Sequence, residues 1–135
     1  MNTPLARLTL GIALAAVATL ASAARLSPAE RLAKATEGRT ASEPVKCLRL
    51  RDIRSTQVIE GTAIVYTTLN GTVYVNTPPR GANFLRRDDV LVTDTHSSDL
   101  CNIDLVKFID PTTHAFMGSV GLGDFVPYKK TRVDK

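Results

Sequence analysis

From Val45 onward, short runs rich in Val, Ile, Thr and Tyr alternate with turn residues every 8 to 12 positions, the punctuation of an antiparallel β protein. The pattern predicts strands over Val45–Leu50, Thr56–Glu60, Thr62–Leu69, Thr72–Asn76, Val90–Thr95, Asp104–Ile109 and Met117–Leu122, with continuation of the last through Phe125 and Val126 left open. Asn70-Gly71 between two β-rich runs predicts a hairpin with a two-residue type I′ turn, which needs positive φ at both positions. Val73 and Val75 fall on one face of the second strand and Thr72, Tyr74 and Asn76 on the other, so one side is expected to be buried. Thr77–Asp89, with Pro78, Pro79 and Gly81, is the longest irregular stretch, and Phe84 and Leu85 are expected to tuck it against the sheets.

Before the β region, one helix is expected. Ser27 stands at its N-cap, Pro28 at the first helical position, and Glu30 completes a capping box. Gly38 can supply the left-handed stop. Leu32 is the one large apolar residue between Ala29 and Glu37, so the helix has little with which to grip a core. Arg39–Glu43 is polar, meets Pro44, and reads as a linker.

The first residues carry a different signal. A polar start with Arg7, an apolar run from Leu8 to Leu20, and Ala21-Ser22-Ala23 have the three regions of a secretory signal peptide, with cleavage expected between Ala23 and Ala24. The run is short for a membrane-spanning helix. The organisation expected is therefore a signal peptide over 1–23, a helix and linker over 24–44, and a single β domain over 45–135. The fold class is mainly β: a small antiparallel barrel or rolled sheet of six to seven strands behind one short N-terminal helix.

Export bears on the two cysteines, Cys47 and Cys101. An even pair in an oxidising compartment is most simply one disulfide, the alternative being two buried thiols. The formal net charge is +4, and +3 without Arg7. So modest an excess, on an exported chain, argues against nucleic acid as a partner. Localisation is expected to be periplasmic or secreted, with no membrane span after signal removal.

Candidate chemistry is sparse. Asp94-Thr95-His96-Ser97-Ser98-Asp99 gathers a His, hydroxyls and carboxylates that could serve acid–base catalysis, yet the same residues build turns. Metal binding would have to draw on His96, His114, Asp94, Asp99 and Asp110, none in a zinc-binding spacing. Gly118-Ser119-Val120-Gly121-Leu122-Gly123 is not in dinucleotide-binding order, and no helix follows it; glycines there mark bulges or close packing. Arg49, Arg51 and Arg54, and Arg80, Arg86 and Arg87, form two basic clusters that could meet an anionic ligand, with Asp52, Asp88 and Asp89 beside them as possible ion-pair partners.

Cys47-Leu-Arg-Leu-Arg-Asp-Ile53-Arg54-Ser55-Thr56, Val73-Tyr74-Val75-Asn76 before a Pro-containing loop, Leu100-Cys101 with Asp104, and Gly121-Leu122-Gly123-Asp124-Phe125-Val126-Pro127 together resemble a family of small exported proteobacterial proteins known as a domain of unknown function. The resemblance spans about Val45 to Tyr128 and implies a fold but no activity. Many relatives carry two further cysteines, at places held here by residues near Gly81 and by Val120. Their joint loss implies that Cys47 pairs with Cys101. The shared residues read as structural: Ile53 and Val58 as core, Ser55 and Thr56 as a bend, Asp104 as a turn cap, and Phe125 packed inward beside Gly123.

The function expected is that of an exported, non-enzymatic binding or accessory protein of the bacterial envelope, with no catalytic residue, metal or cofactor assigned. An envelope protein or an anionic surface ligand is its expected partner. The alternatives are a small hydrolase or metal-dependent enzyme using His96 with Asp94 or Asp99, and a structural partner in an envelope assembly.

Overall fold

The computed structural model describes residues 24–132. The segment over 1–23 that is expected to be a signal peptide lies outside the described residues, as do 133–135. Ten strands are present among the described residues: β1 (Arg39–Ala41), β2 (Cys47–Arg49), β3 (Ile53–Ile59), β4 (Ala63–Thr68), β5 (Val73–Asn76), β6 (Val90–Asp94), β7 (Asp99–Cys101), β8 (Leu105–Ile109), β9 (Phe116–Gly121) and β10 (Phe125–Lys130). One helix, α1 (Pro28–Ala35), precedes them. No helix among the described residues is long and apolar enough to cross a membrane.

All pairings are antiparallel and fall into three sheets, ordered β1-β10-β5-β4-β3, β2-β7 and β6-β8-β9. They do not close into a barrel, one of the two forms expected. Isolated bridges join Val45 to Phe125 and Arg80 to Gly121, but the ladders stop at the 3-10 turn Leu50–Asp52 and at the Gly121–Gly123 segment. The sheets instead meet face to face. Val58, Ile64, Tyr66 and Phe125 of the large sheet, Leu48 and Leu100 of the ribbon, and Val106, Phe108 and Val120 of the small sheet form one buried cluster, completed by Leu85 and Leu122. The Tyr66 and Phe125 rings meet edge to face at 5.7 Å.

The large sheet is buried on both sides. Its other face carries Ile59, Ala63, Val65, Val73 and Val75, against which Leu32, Ala35 and Tyr128 pack. The expectation of one buried side for β5 is corrected accordingly, and β4 reads Ala-Ile-Val-Tyr-Thr-Thr because a strand covered on both faces needs a near-continuous apolar run. α1 provides the cover. Ser27 Oγ accepts from the Glu30 amide at 3.3 Å while the Glu30 carboxylate accepts from the Ser27 amide at 2.7 Å. The Ser27 amide, and after it the Ser27 side chain, stabilise the carboxylate and lower the Glu30 pKa. Arg31 then reaches from the helix to the Val58 carbonyl at 3.2 Å.

Three strands exceed the sequence expectation. β1 occupies the supposed linker, β7 is a three-residue strand without its own apolar pattern, and β10 is separate from β9. Each is a pairing partner rather than a local signal: β1 lies along β10, and β7 along β2. The bend expected at Ser55 and Thr56 is a register shift between Ile53 and Ser55 within a continuous β3.

The Asn70-Gly71 hairpin is present with a different turn. Thr68 and Thr72 close a three-residue loop, with the Thr68 amide on the Thr72 carbonyl at 3.0 Å. Of the loop residues, Gly71 alone has positive φ, at 85°, the geometry of a turn followed by a glycine bulge. Asn70 contributes its side chain instead, accepting at Oδ1 from the Thr72 amide at 3.0 Å and the Thr68 hydroxyl at 2.6 Å. In the long loop, Leu85 is buried as expected, whereas Phe84 stays partly exposed over Gly118.

Candidate functional site

Cys47 and Cys101 stand directly opposite in the β2–β7 ribbon and form a disulfide. Asp104 caps the following turn, its Oδ2 accepting from the Cys101 amide at 2.7 Å. The bond is of the kind that an oxidising, non-cytoplasmic compartment sustains.

The histidine cluster is dispersed. Asp94↔Leu105↔Gly121 marks one end of the small sheet and Val90↔Ile109↔Phe116 the other. His96 follows the first end and His114 belongs to the β8–β9 turn at the second. His96 is 93% exposed, with Nδ1 3.9 Å from Asp104 Oδ1. Asp94 is engaged with Lys107 at 3.4 Å, and Ser97 caps the Asp99 amide at 3.2 Å. Asp110 builds its own turn: amides of Thr113 and Thr112 at 2.7 and 2.8 Å and the Thr113 hydroxyl at 3.1 Å bind Oδ1. These bonds, the Thr113 amide first, hold its carboxyl below the ordinary range. Among the described residues no three His, Cys, Asp or Glu side chains converge as metal ligands would.

The two expected arginine clusters are interleaved with acids. Arg51 meets Asp52 at 3.8 Å, Arg87 meets Asp88 at 3.6 Å, and Arg49 stands opposite Asp99 across the ribbon. Arg49 and Arg51 line a groove of about 560 Å³ whose wall also holds Asp99. The glycine segment is packing. A Cβ on Gly123 would stand 2.8 Å from the Thr77 carbonyl oxygen, and Asn76, fully buried, brackets the same glycine: Nδ2 donates to its carbonyl at 2.6 Å and Oδ1 accepts from its amide at 3.0 Å.

Two surfaces emerge that no local motif announced. The first is the outer face of the small sheet. Opposed residues of an antiparallel pair share a face, so Val90, Val92 and Asp94 of β6 lie beside Ile109, Lys107 and Leu105 of β8 and Phe116, Ser119 and Gly121 of β9. Exposure is 48% for Val90, 44% for Val92, 51% for Leu105 and 62% for Phe116. The Lys107–Asp94 pair is set among these apolar residues, and among the described residues β6 is an outer strand whose pairing partner is β8. The alternation along β6, β8 and β9 was the available signal; which face would be left bare was not.

The second is a cationic corner of the large sheet, where Lys129, Lys130 and Arg132 line a groove of about 310 Å³ with Asn70, Gly71 and Thr72. The Lys129-Lys130-Thr131-Arg132 run is visible in the chain, but its alignment with Arg39 follows only from the β1–β10 pairing. The arrangement as a whole is that of a disulfide-bonded antiparallel β domain with a bare sheet face and a basic corner. Comparison with protein-family models, curated proteins and solved structures finds no match for this chain.

Proposed function

We propose that the chain is an exported, non-enzymatic binding or accessory protein of the bacterial envelope, periplasmic or secreted, that docks a protein partner on the outer face of the β6–β8–β9 sheet. The observation that carries the reading is the outer face of this sheet, where Val90, Val92, Leu105 and Phe116 are all exposed around the Lys107–Asp94 pair. Apolar patches broken by few polar groups mark interaction sites, because a monomer normally covers them. β6 adds a strand edge that has no pairing strand among the described residues, on which a partner segment can form main-chain bonds.

The disulfide supports the extracytoplasmic part of the reading. The resemblance to the exported proteobacterial family is supported by one contact. A Cβ at Gly81 would stand 3.2 Å from Val120 Cγ1, so the two places where relatives carry the additional cysteines adjoin. The engagement of Asp94 by Lys107 and the separation of His96 from His114 favour binding over imidazole catalysis.

Photo-crosslinking in the producing cell tests the reading. A photoreactive residue at Val92 or Phe116 is expected to give one adduct of defined mass, absent from the same probe at Lys34 on α1 and abolished by Leu105→Asp. No adduct, or equal adducts from all three positions, overturns it.

A further inference from the structure

We propose that the corner formed by Arg39, Lys130 and Arg132 beside the Asn70–Gly71 turn is a binding site for a phosphate-bearing anion. The β1–β10 register sets Arg39 directly opposite Lys130. Like charges in that position destabilise an antiparallel pair, and β1 is a three-residue edge strand with little other pairing to offset the repulsion. Among the described residues the ion pairs involve Arg51, Arg87, His96 and Lys107, and none lies at this corner. An anion bridging the cations would turn the repulsion into attraction.

The corner is also shaped. Arg39 Nη1 donates to the Gly71 carbonyl at 2.7 Å, which fixes the guanidinium against the turn and leaves its other N–H groups to donate elsewhere. Asn70 Oδ1 is occupied by Thr72 and Thr68, so its Nδ2 amide remains as a donor beside the lysines. Thr40 and Thr131 hydroxyls bond each other at 2.9 Å and tie the C-terminal run to β1. A carboxylate would neutralise one charge and accept at two oxygens. A phosphate carries up to two charges and more acceptors, matching an arginine fork with an ammonium and a second guanidinium beside it. The group can belong to a soluble phosphorylated molecule or to a phospholipid headgroup.

The site is separate from the β6–β8–β9 face and is tested without it. Inorganic phosphate titrated into the disulfide-bonded protein, followed by amide NMR, is expected to shift Gly71, Thr72, Lys129 and Lys130 saturably, with weakening at raised salt. Lys130→Gln and Arg39→Gln are each expected to lower affinity about tenfold. Arg51→Gln and Arg87→Gln, which remove the same charge elsewhere, leave it unchanged. Without phosphate, Lys130→Gln is expected to raise Tm by relieving the repulsion, so its binding defect is distinguishable from misfolding. Co-sedimentation with phosphatidylglycerol vesicles, lost in Lys130→Gln, assigns the headgroup; phosphate binding without co-sedimentation assigns a soluble ligand. No saturable shift and no co-sedimentation, or equal losses from all four substitutions, overturns the proposal.

Discussion

Asn76→Asp exchanges one side-chain NH2 for oxygen at a fully buried position where the amide donates to the Gly123 carbonyl and accepts from the Gly123 amide. At neutral pH the introduced carboxylate would keep the second bond and set a charge against the carbonyl in place of the first. Breaking a buried polar pair so that an unpaired charge remains costs about 3–5 kcal/mol, a large part of the 5–15 kcal/mol typical of a domain. Protonation reverses the loss, because a neutral carboxyl can donate from one oxygen and accept at the other, as the amide does. The folded-state pKa of the new group is therefore raised. A penalty of about 3 kcal/mol corresponds to a rise of roughly two pH units, to near 6.

The sign follows from linkage. Below the unfolded pKa of about 4 both states are protonated and the variant approaches the parent. As pH rises, the unfolded chain releases the proton that the folded chain holds, and the deficit grows by about 1.4 kcal/mol per unit until the folded pKa is passed. Asn76→Leu supplies the control: it leaves the Gly123 amide and carbonyl without partners at every pH and should cost about 2–4 kcal/mol throughout. Urea unfolding of the three proteins between pH 4 and 7.5 measures both. An Asn76→Asp deficit that is flat across this range would refute the reasoning, because the clamp would then not be sensing the charge.

Tyr66→Phe removes a hydroxyl that is buried with no hydrogen-bond partner among the described residues, and is expected to leave neutral-pH stability unchanged or raise it by up to about 1 kcal/mol. Burial pushes the Tyr66 phenol above its ordinary range, so the parent should lose stability as pH rises above about 10, where the unfolded tyrosine ionises and the folded one does not. Denaturation at pH 7 and 10.5 checks both, and an equal alkaline loss in the variant contradicts the assignment. Cys47→Ser opens a loop spanning a sequence separation of 54 and should cost about 4 kcal/mol in the chain-entropy model. Reductant should destabilise the parent by a similar amount and the variant not at all, as read by thermal unfolding with and without dithiothreitol.

Features written in adjacent residues were legible in the chain. The Ser27–Glu30 capping box, the position of the Asn70–Gly71 turn and the strands with their own apolar pattern need only neighbours for their physics. β1 and β7 were not legible, since Arg39-Thr40-Ala41 and Asp99-Leu100-Cys101 are extended by virtue of what lies beside them. The type of turn at Asn70 was misread for a related reason. β4 keeps pairing as far as Thr68, and Asn70 spends its side chain on Thr72 and Thr68 rather than entering the left-handed region. The Asn76–Gly123 clamp joins residues 47 apart, and no local pattern marks either as the other's partner.

The same distinction separates framework from candidate surface. The β3–β4–β5 strands carry apolar residues on both faces, and both are covered, by α1 on one side and by the small sheet and ribbon on the other. β6, β8 and β9 also place apolar residues on both faces, but it is Leu91, Val106, Phe108, Met117 and Val120 that pack against the core. Val90, Val92, Leu105 and Phe116 therefore represent hydrophobic area that folding has not used, at a potential gain of about 25 cal/mol per Å² on burial. Likewise, Arg51 and Arg87 have acids within ion-pair range, while Arg39 is set against Lys130. In both places the interactions that stabilise the fold leave, among the described residues, a group without its natural complement, apolar in one case and anionic in the other, and it is that complement which the two proposals assign to a second molecule.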